Sequence, residues 1–258
     1  MGKFLNYLRN KFHPLFWLFK FQFIRKFLSK TKIKFLKKSK KFGDFYIFLP
    51  RNISLLLINE HIELNTFNLV SKLNLKRDIK NSSFVDVGGN VGIYSLYFKK
   101  NYNSKVFIFE PDDNNLNLLI NTKLKNNYSN FHIFPFGLTN EEKMMSFLID
   151  DISGSTGTFS KERNIPQIRM GIQNKKDIIS MKLDTFKKVI NNISWVKIDV
   201  EGHEIEVIQG MIEIIKRDEP NLIIESNDIK ISKIYEMLKP LNYKLNKIDQ
   251  VPNYILFK

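Results

Sequence analysis

The stretch that most limits how this chain can fold is Phe84-Val85-Asp86-Val87-Gly88-Gly89-Asn90-Val91-Gly92-Ile93-Tyr94-Ser95. A buried-type strand ends at Asp86, glycines at 88, 89 and 92 let the backbone turn sharply and approach a ligand closely, and a helix begins just beyond. After residue 81 the pattern becomes regular: short β-branched and aromatic runs alternate with helical stretches, as parallel βαβ units require. Strands are predicted at 84–87, 106–109, 131–135, 195–199 and 222–225, and helices near 91–100, 113–126, 204–216 and 232–238. The fold class expected is α/β, a Rossmann-like doubly wound, mostly parallel sheet whose ligand crevice lies at the carboxyl ends of its strands. Residues 144–149 and 178–182 read as extra strands bracketing a polar loop, 150–176, a candidate lid over the substrate. The segments 243–248 and 254–257, joined by a turn containing Pro252, read as a C-terminal antiparallel hairpin.

Length and charge divide the chain further. Its 258 residues, 43% of them hydrophobic, suffice for one α/β domain with appendages. With no cysteine, a disulfide framework, an iron–sulfur cluster, a thiolate zinc site and a cysteine nucleophile are all excluded. Residues 1–43 hold 13 of the 41 Lys+Arg and no acid, whereas the remainder carries 28 basic against 26 acidic residues. Three regions are therefore expected: a basic aromatic arm, 1–43; a small lead-in segment, 44–80, with strands at 45–49 and 53–58 and a helix at 60–73; and the main domain, 81–258. Within the arm, Phe12, Phe16, Phe19, Phe23 and Phe27 recur every three or four residues from a helix start near Pro14. A helix basic on one side and aromatic on the other suits an anionic membrane surface; the competing reading packs its aromatics on the body. Because the body is nearly neutral, nucleic acid is not an expected partner. No apolar run approaches the roughly 20 residues of a transmembrane span, and none makes a secretory signal core. The expected location is cytoplasmic, peripheral on the inner face of the membrane if the arm acts as an anchor.

The loop spacing, D-x-G-x-x-x-G, differs from the G-x-G-x-x-G of dinucleotide enzymes, and an acid precedes it where a pyrophosphate would be repelled. A cationic, phosphate-free ligand suits the turn better. Past Gly92, the second strand ends in Glu110-Pro111, where a carboxylate can accept from both hydroxyls of a ribose diol. The competing reading gives the glycines to tight packing and Glu110 to capping the next helix.

These residues carry a family resemblance. Segments 86–95, Phe109-Glu110-Pro111, Leu183-Asp184-Thr185-Phe186, and above all Lys197-Ile198-Asp199-Val200-Glu201-Gly202-His203-Glu204 with Gly210 resemble the FkbM family of S-adenosylmethionine-dependent methyltransferases. The likeness runs from about residue 81 to 226; one departure is Gly89, where the family usually has alanine, and loss of that methyl should be tolerated. The resemblance implies a class I methyltransferase fold and O-methylation of a sugar, glycan or glycolipid hydroxyl. It implies S-adenosyl-L-methionine held by Asp86, Gly88, Gly89, Asn90, Gly92, Tyr94, Ser95, Glu110, Pro111 and Gly137.

The fourth strand carries the reactive groups. In a strand, alternate side chains face one way, which puts Lys197, Asp199 and Glu201 together where a central parallel strand is normally apolar. Burying such groups unpaired is costly, so the row should sit at a cleft mouth or neutralise itself. A hydroxyl acceptor is a poor nucleophile and needs a base as its bond to carbon forms. Asp199 is expected to be that base or, alternatively, a metal ligand lowering the hydroxyl's pKa, with Glu225 as a companion ligand of a divalent ion. Lys197 orients Asp199 or the acceptor; Glu201, His203 and Glu225 are second-rank catalytic candidates. The competing structural reading is a buried Lys197–Asp199 ion pair, with Glu204 capping the helix.

Rival functions are weaker on sequence. Adenine N-methylation lacks its Pro-Pro-aromatic motif after the fourth strand, and cytosine C5 methylation lacks its cysteine. A ribose or small-molecule hydroxyl remains an alternative acceptor. A nicotinamide-dependent sugar-modifying oxidoreductase has the wrong loop spacing and no Tyr-x-x-x-Lys near the loop, since Tyr235 and Lys239 fall in a late helix. A binding protein that keeps the fold without turnover is the third class.

Overall fold

A computed structural model describes residues 33–49, 52, 63–75, 79–150, 173–248 and 251–258. The chain first forms a hairpin of β1 (Ile33–Lys37) and β2 (Phe45–Leu49), antiparallel with Ile33 opposite Leu49, followed by α1 (Leu64–Asn74). Next come β3 (Ser83–Val87), α2 (Ile93–Tyr102), β4 (Lys105–Phe109), α3 (Asp113–Lys125) and β5 (Phe131–Phe134). After β6 (Gly137–Leu138), β7 (Lys143–Asp150) and β8 (Gln173–Met181), the strand–helix alternation resumes with β9 (Ile193–Ile198), α4 (Glu204–Gln209) and α5 (Ile212–Asp218). It closes through β10 (Asn221–Glu225), α6 (Asp228–Leu238), β11 (Lys244–Lys247) and β12 (Asn253–Phe257).

The main sheet has seven strands in the order β11-β12-β10-β9-β3-β4-β5. The run from β10 to β5 is parallel, and β12 and β11 add antiparallel at one edge. This is the doubly wound, mostly parallel sheet with a terminal antiparallel hairpin that the sequence predicts. The chain order reverses direction between β3 and β9, so the crevice expected of such sheets opens at their carboxyl ends.

Strand alternation divides the core in two. Val85, Val87, Val196 and Ile198 pack on one face against α4, α5 and α6, while Phe84, Val106, Ile108 and Trp195 pack on the other with Phe67, Leu96 and Phe98. The period of two that puts Phe84 and Trp195 on the second face carries Asp86 and Lys197 there too.

Several elements differ from the sequence reading, among them α6, which starts at Asp228 rather than 232, and the unpredicted β6. The helix expected over 204–216 is split at Gly210, where a Cβ would stand 2.1 Å from the carbonyl oxygen of Thr139, so the backbone of the β6 region passes in contact with the break. Asp184 then caps the second half, accepting from the N–H groups of Glu213 at 3.1 Å and Ile214 at 2.9 Å, which gives that family segment a structural role. The strands expected at 144–149 and 178–182 are longer and pair with each other antiparallel, forming a second sheet in the order β6-β8-β7. The boundary drawn at residue 43 falls inside the β1–β2 hairpin, whose turn residue Phe42 is buried in the core beside Phe67, their rings 5.8 Å apart. The expected arm helix, the strand at 53–58 and most of the candidate lid lie outside the described residues.

Candidate active site

The ends of β3, β4 and β9 are tied to one another. Gly88 leaves β3 with φ 77°, its N–H donates to Phe109 O at 2.9 Å, and Asp199 N–H donates to Val87 O at 3.0 Å. A Cβ on Gly88 would lie 2.0 Å from Asp199 O, so both conformation and space require glycine. At Gly89 the room a methyl would take is filled by Ile108 Cγ2, 2.2 Å from that Cβ position. The alanine-to-glycine departure is thus accommodated by a neighbour rather than left as a void. Asn90 and Gly92 are also left-handed, with φ 50° and 85°, and α2 starts directly after.

Asp86 sits under this loop. Its Oδ2 accepts from the Ser95 hydroxyl at 2.6 Å and the Ser95 N–H at 3.2 Å, binding strand end to helix start. Burial pushes its carboxyl up to about 6 against these hydrogen bonds and the nearby Lys197 ammonium. Glu110 stands at the end of β4, its Oε2 accepting from Asn90 N–H at 2.7 Å and its Oε1 from Asp112 N–H at 2.8 Å. Burial, and then the charge of Asp112, raise the Glu110 carboxyl to about 7. The Asn115 side chain also bonds this carboxylate, so three donors hold it at the wall of the cleft, with acceptor capacity left for a ligand hydroxyl.

Two chambers meet over these strand ends. The first, with an enclosed volume of about 50 Å³, is lined by Gly88, Asn90, Glu110, Pro111, Gly137 and Leu138, with Phe147, Asp199, Val200 and Glu201 completing it. The second, of about 160 Å³, is lined by Glu63, Asp86, Gly88, Gly89, Asn90, Tyr94, Lys197, Asp199 and Glu225. Gly88, Asn90 and Asp199 line both, placing Asp199 on the shared wall.

Lys197 is 2% exposed, and its ammonium lies 3.5 Å from Asp199 Oδ2, 3.9 Å from Glu225 Oε2 and 5.1 Å from the centre of the Tyr94 ring. Burial first, then the Asp199 charge, push the Glu225 carboxyl up to about 7. Lys197 thus bridges Asp199 and Glu225 where the metal alternative needs a divalent ion. Among the described residues no three His, Asp or Glu side chains converge closely enough to hold one. The expected row of three also breaks: β9 ends at Ile198, and Glu201, with φ 53°, turns into the first chamber instead of standing beside Lys197.

The remaining expected residues have other surroundings. His203 is half-buried, precedes α4 and lines neither chamber, and burial lowers its pKa. Glu204 Oε1 accepts from Gly202 N–H at 2.6 Å while Oε2 pairs with Lys230 at 3.3 Å, so it holds the turn. Ser95 and Gly92 act on the loop from behind. Sequence reasoning missed Glu63, Asn115, Leu138 and Phe147. Phe147 and Leu138 come from the second sheet, whose position over the crevice no local pattern encodes.

Comparison with known proteins adds to this geometry. The Methyltransferase FkbM domain model matches residues 86–250. A curated relative, Methyltransferase 1 of Beauveria bassiana, is 25% identical over 164 residues, which cover 58% of this chain and 66% of the relative. Among solved structures, Methyltransferase FkbM from Methylobacillus flagellatus aligns at 17% identity with a TM-score of 0.49, covering 69% of this chain and 44% of its own. The N-terminal domain of human METTL16, solved with SAH, aligns at 13% identity and TM-score 0.45, covering 77% and 70%. The chain therefore spans less than two thirds of the length of the first two relatives.

Proposed function

The chain belongs to the FkbM methyltransferase family, and from that premise we propose that it transfers a methyl group from S-adenosyl-L-methionine to a hydroxyl of a sugar, glycan or glycolipid. The observation that carries this reading is the pairing of Glu110 at the end of β4 with Asp199 on the wall between two chambers. A buried carboxylate at the end of the second parallel strand, lining the cleft, suits a ribose hydroxyl, and the glycine turn lets an adenosyl group lie against backbone. The cradle fits such a ligand for a second reason: Asn90 lines both chambers, and its buried Oδ1 has no protein donor.

When bound, S-adenosylmethionine supplies an electrophilic methyl on a cationic sulfur. The chain's own part is to bind, orient and take a proton. Glu110 would hold the adenosyl end. Asp199, on the wall that both chambers share, would take the proton of the acceptor hydroxyl. Lys197 holds that carboxylate in place, and the apolar walls from Phe147 and Leu138 keep water from the reacting oxygen. The second chamber, with carboxylates and the Tyr94 hydroxyl along its wall, offers the acceptors and donors that a polyol needs. The basic arm, with its 13 cations, suits an acceptor presented at an anionic membrane surface.

Calorimetry with S-adenosylmethionine and release of S-adenosylhomocysteine with glycan acceptors test the reading. Glu110→Ala should weaken donor binding at least tenfold; Asp199→Asn should leave it within about twofold and lower turnover by roughly 10²–10⁴. A purified chain with no affinity for the donor or its demethylated product overturns it, and a fully active Asp199→Asn reassigns the base.

A further inference from the structure

Glu63 lies outside the family match, yet its side chain reaches the second chamber. It precedes α1 in a left-handed conformation, φ 51°, which an L residue adopts at some cost. Three donors converge on one of its oxygens, Oε2: the Tyr94 hydroxyl at 2.9 Å, the Thr66 hydroxyl at 2.9 Å and the Asn253 amide at 2.6 Å. Asn253 also donates to the Tyr94 hydroxyl at 3.2 Å and stands opposite Glu225 in the β10–β12 pair. One carboxylate thereby joins the lead-in segment, the loop helix and the last strand.

The consequence reaches Lys197. Its ammonium rests over the Tyr94 ring, and a ring fixed at its hydroxyl end cannot swing away from the cation it faces. We propose that Glu63 is a positioning residue of the cleft: by clamping Tyr94 it holds the Lys197 ammonium between that ring and Asp199. This rests on the methyl-transfer reading for its purpose, since a fixed Lys197 fixes the base, but the clamp itself is a property of the chain. The region before residue 81 then completes the site rather than merely preceding it. Lys197 is faced by Asp199 from its own strand end, Glu225 from β10, Asp86 from β3 and the Tyr94 ring from α2. Glu63 acts on it through Tyr94, and its own carboxylate is secured by three donors.

The test uses the full chain labelled with [13Cε]lysine, the Lys197 signal being assigned by its loss in Lys197→Arg. Protons held over an aromatic face are shifted upfield, and Tyr94→Leu sets the size of that displacement. Glu63→Ala should abolish at least half of it. Tyr94→Phe, which keeps the ring but removes the clamped hydroxyl, should do the same and covers the case in which Glu63→Ala does not fold. Glu63→Gln, which keeps an acceptor for Tyr94, should retain most of it. If Glu63→Ala, or Tyr94→Phe where the first does not fold, leaves the Lys197 shift at its wild-type value, the proposal is overturned. Titration of the same samples with S-adenosylmethionine separates the two ideas: a wild-type chain that does not bind it ends the donor reading while the clamp result stands or falls by the shift alone.

Discussion

Gly89 and Ile108 act as a matched pair, since the space for one residue's methyl is taken by the other's Cγ2. Gly89→Ala alone should therefore destabilise the fold by about 1–3 kcal/mol through overpacking. Ile108→Leu moves the branch away from Cβ, and the double variant should recover much of that loss; additive denaturation midpoints in the cycle would refute the pairing. Glu110 yields a second test. Burial, followed by the charge of Asp112, holds its folded pKa near 7, above its ordinary value of 4.5. A group raised in the folded state stabilises the free protein below its unfolded pKa, and that contribution is lost as pH rises from about 4.5 through 7. Donor binding runs the other way, because a diol donates to the ionised carboxylate. Affinity should fall roughly tenfold from pH 8 to pH 6, with proton release visible as a buffer-dependent binding enthalpy; a flat affinity would exclude Glu110 as the diol's acceptor. Asp86, Gly88 and Glu110 were legible because strand, turn and acid occur in one short window. Glu63 was not, because its contact with Asn253 spans 190 residues and its φ is one that sequence rarely announces.

At the level of elements, the parallel strands of the main sheet could be read from alternation, and the antiparallel partnership of β7 and β8 could not. Those two strands bracket a long polar stretch, and their pairing buries only a small cluster of Phe147, Ile149 and Ile178, apart from both faces of the main sheet. The split between α4 and α5 was hidden for a related reason: the apolar period continues through Gly210, and only the close pass of Thr139 O interrupts it. Because Phe147 belongs to the satellite cluster and also walls the first chamber, its two roles can be separated. Phe147→Ala should lower donor affinity about tenfold. It should cost less stability than the roughly 3–5 kcal/mol of a core Phe→Ala, because the site opens to solvent and the main clusters stay filled. A melting point that drops as far as for Phe84→Ala, with donor affinity unchanged, would show the hairpin to be core rather than wall.

Over the whole molecule, the change in charge at residue 43 falls inside a strand pair, because β1 is already paired from Ile33. Alternation in Ile33–Lys37 is masked in the sequence by a run of lysines, so β1 reads as arm until its pairing with β2 is seen. Its outer residues Ile33 and Phe35 remain exposed, while Phe42 in the turn is 1% exposed. Truncation can therefore separate anchoring from folding. Removing residues 1–32 deletes eight of the arm's cations and leaves the hairpin whole. That variant should melt as the full chain does, bind donor equally, and lose association with phosphatidylserine-containing vesicles, at about 1 kcal/mol per cation near the surface. Association of the full chain should weaken as salt rises, because charges beyond roughly 10 Å are screened at 0.1 M. Removing residues 1–43 strips the edge strand from β2 and takes Phe42 from the core, which should lower stability by at least the 3–5 kcal/mol or so of a lost buried Phe. Equal vesicle binding by the full chain and the 1–32 deletion would leave the arm's aromatics to pack on the body, and the acceptor would then need no membrane.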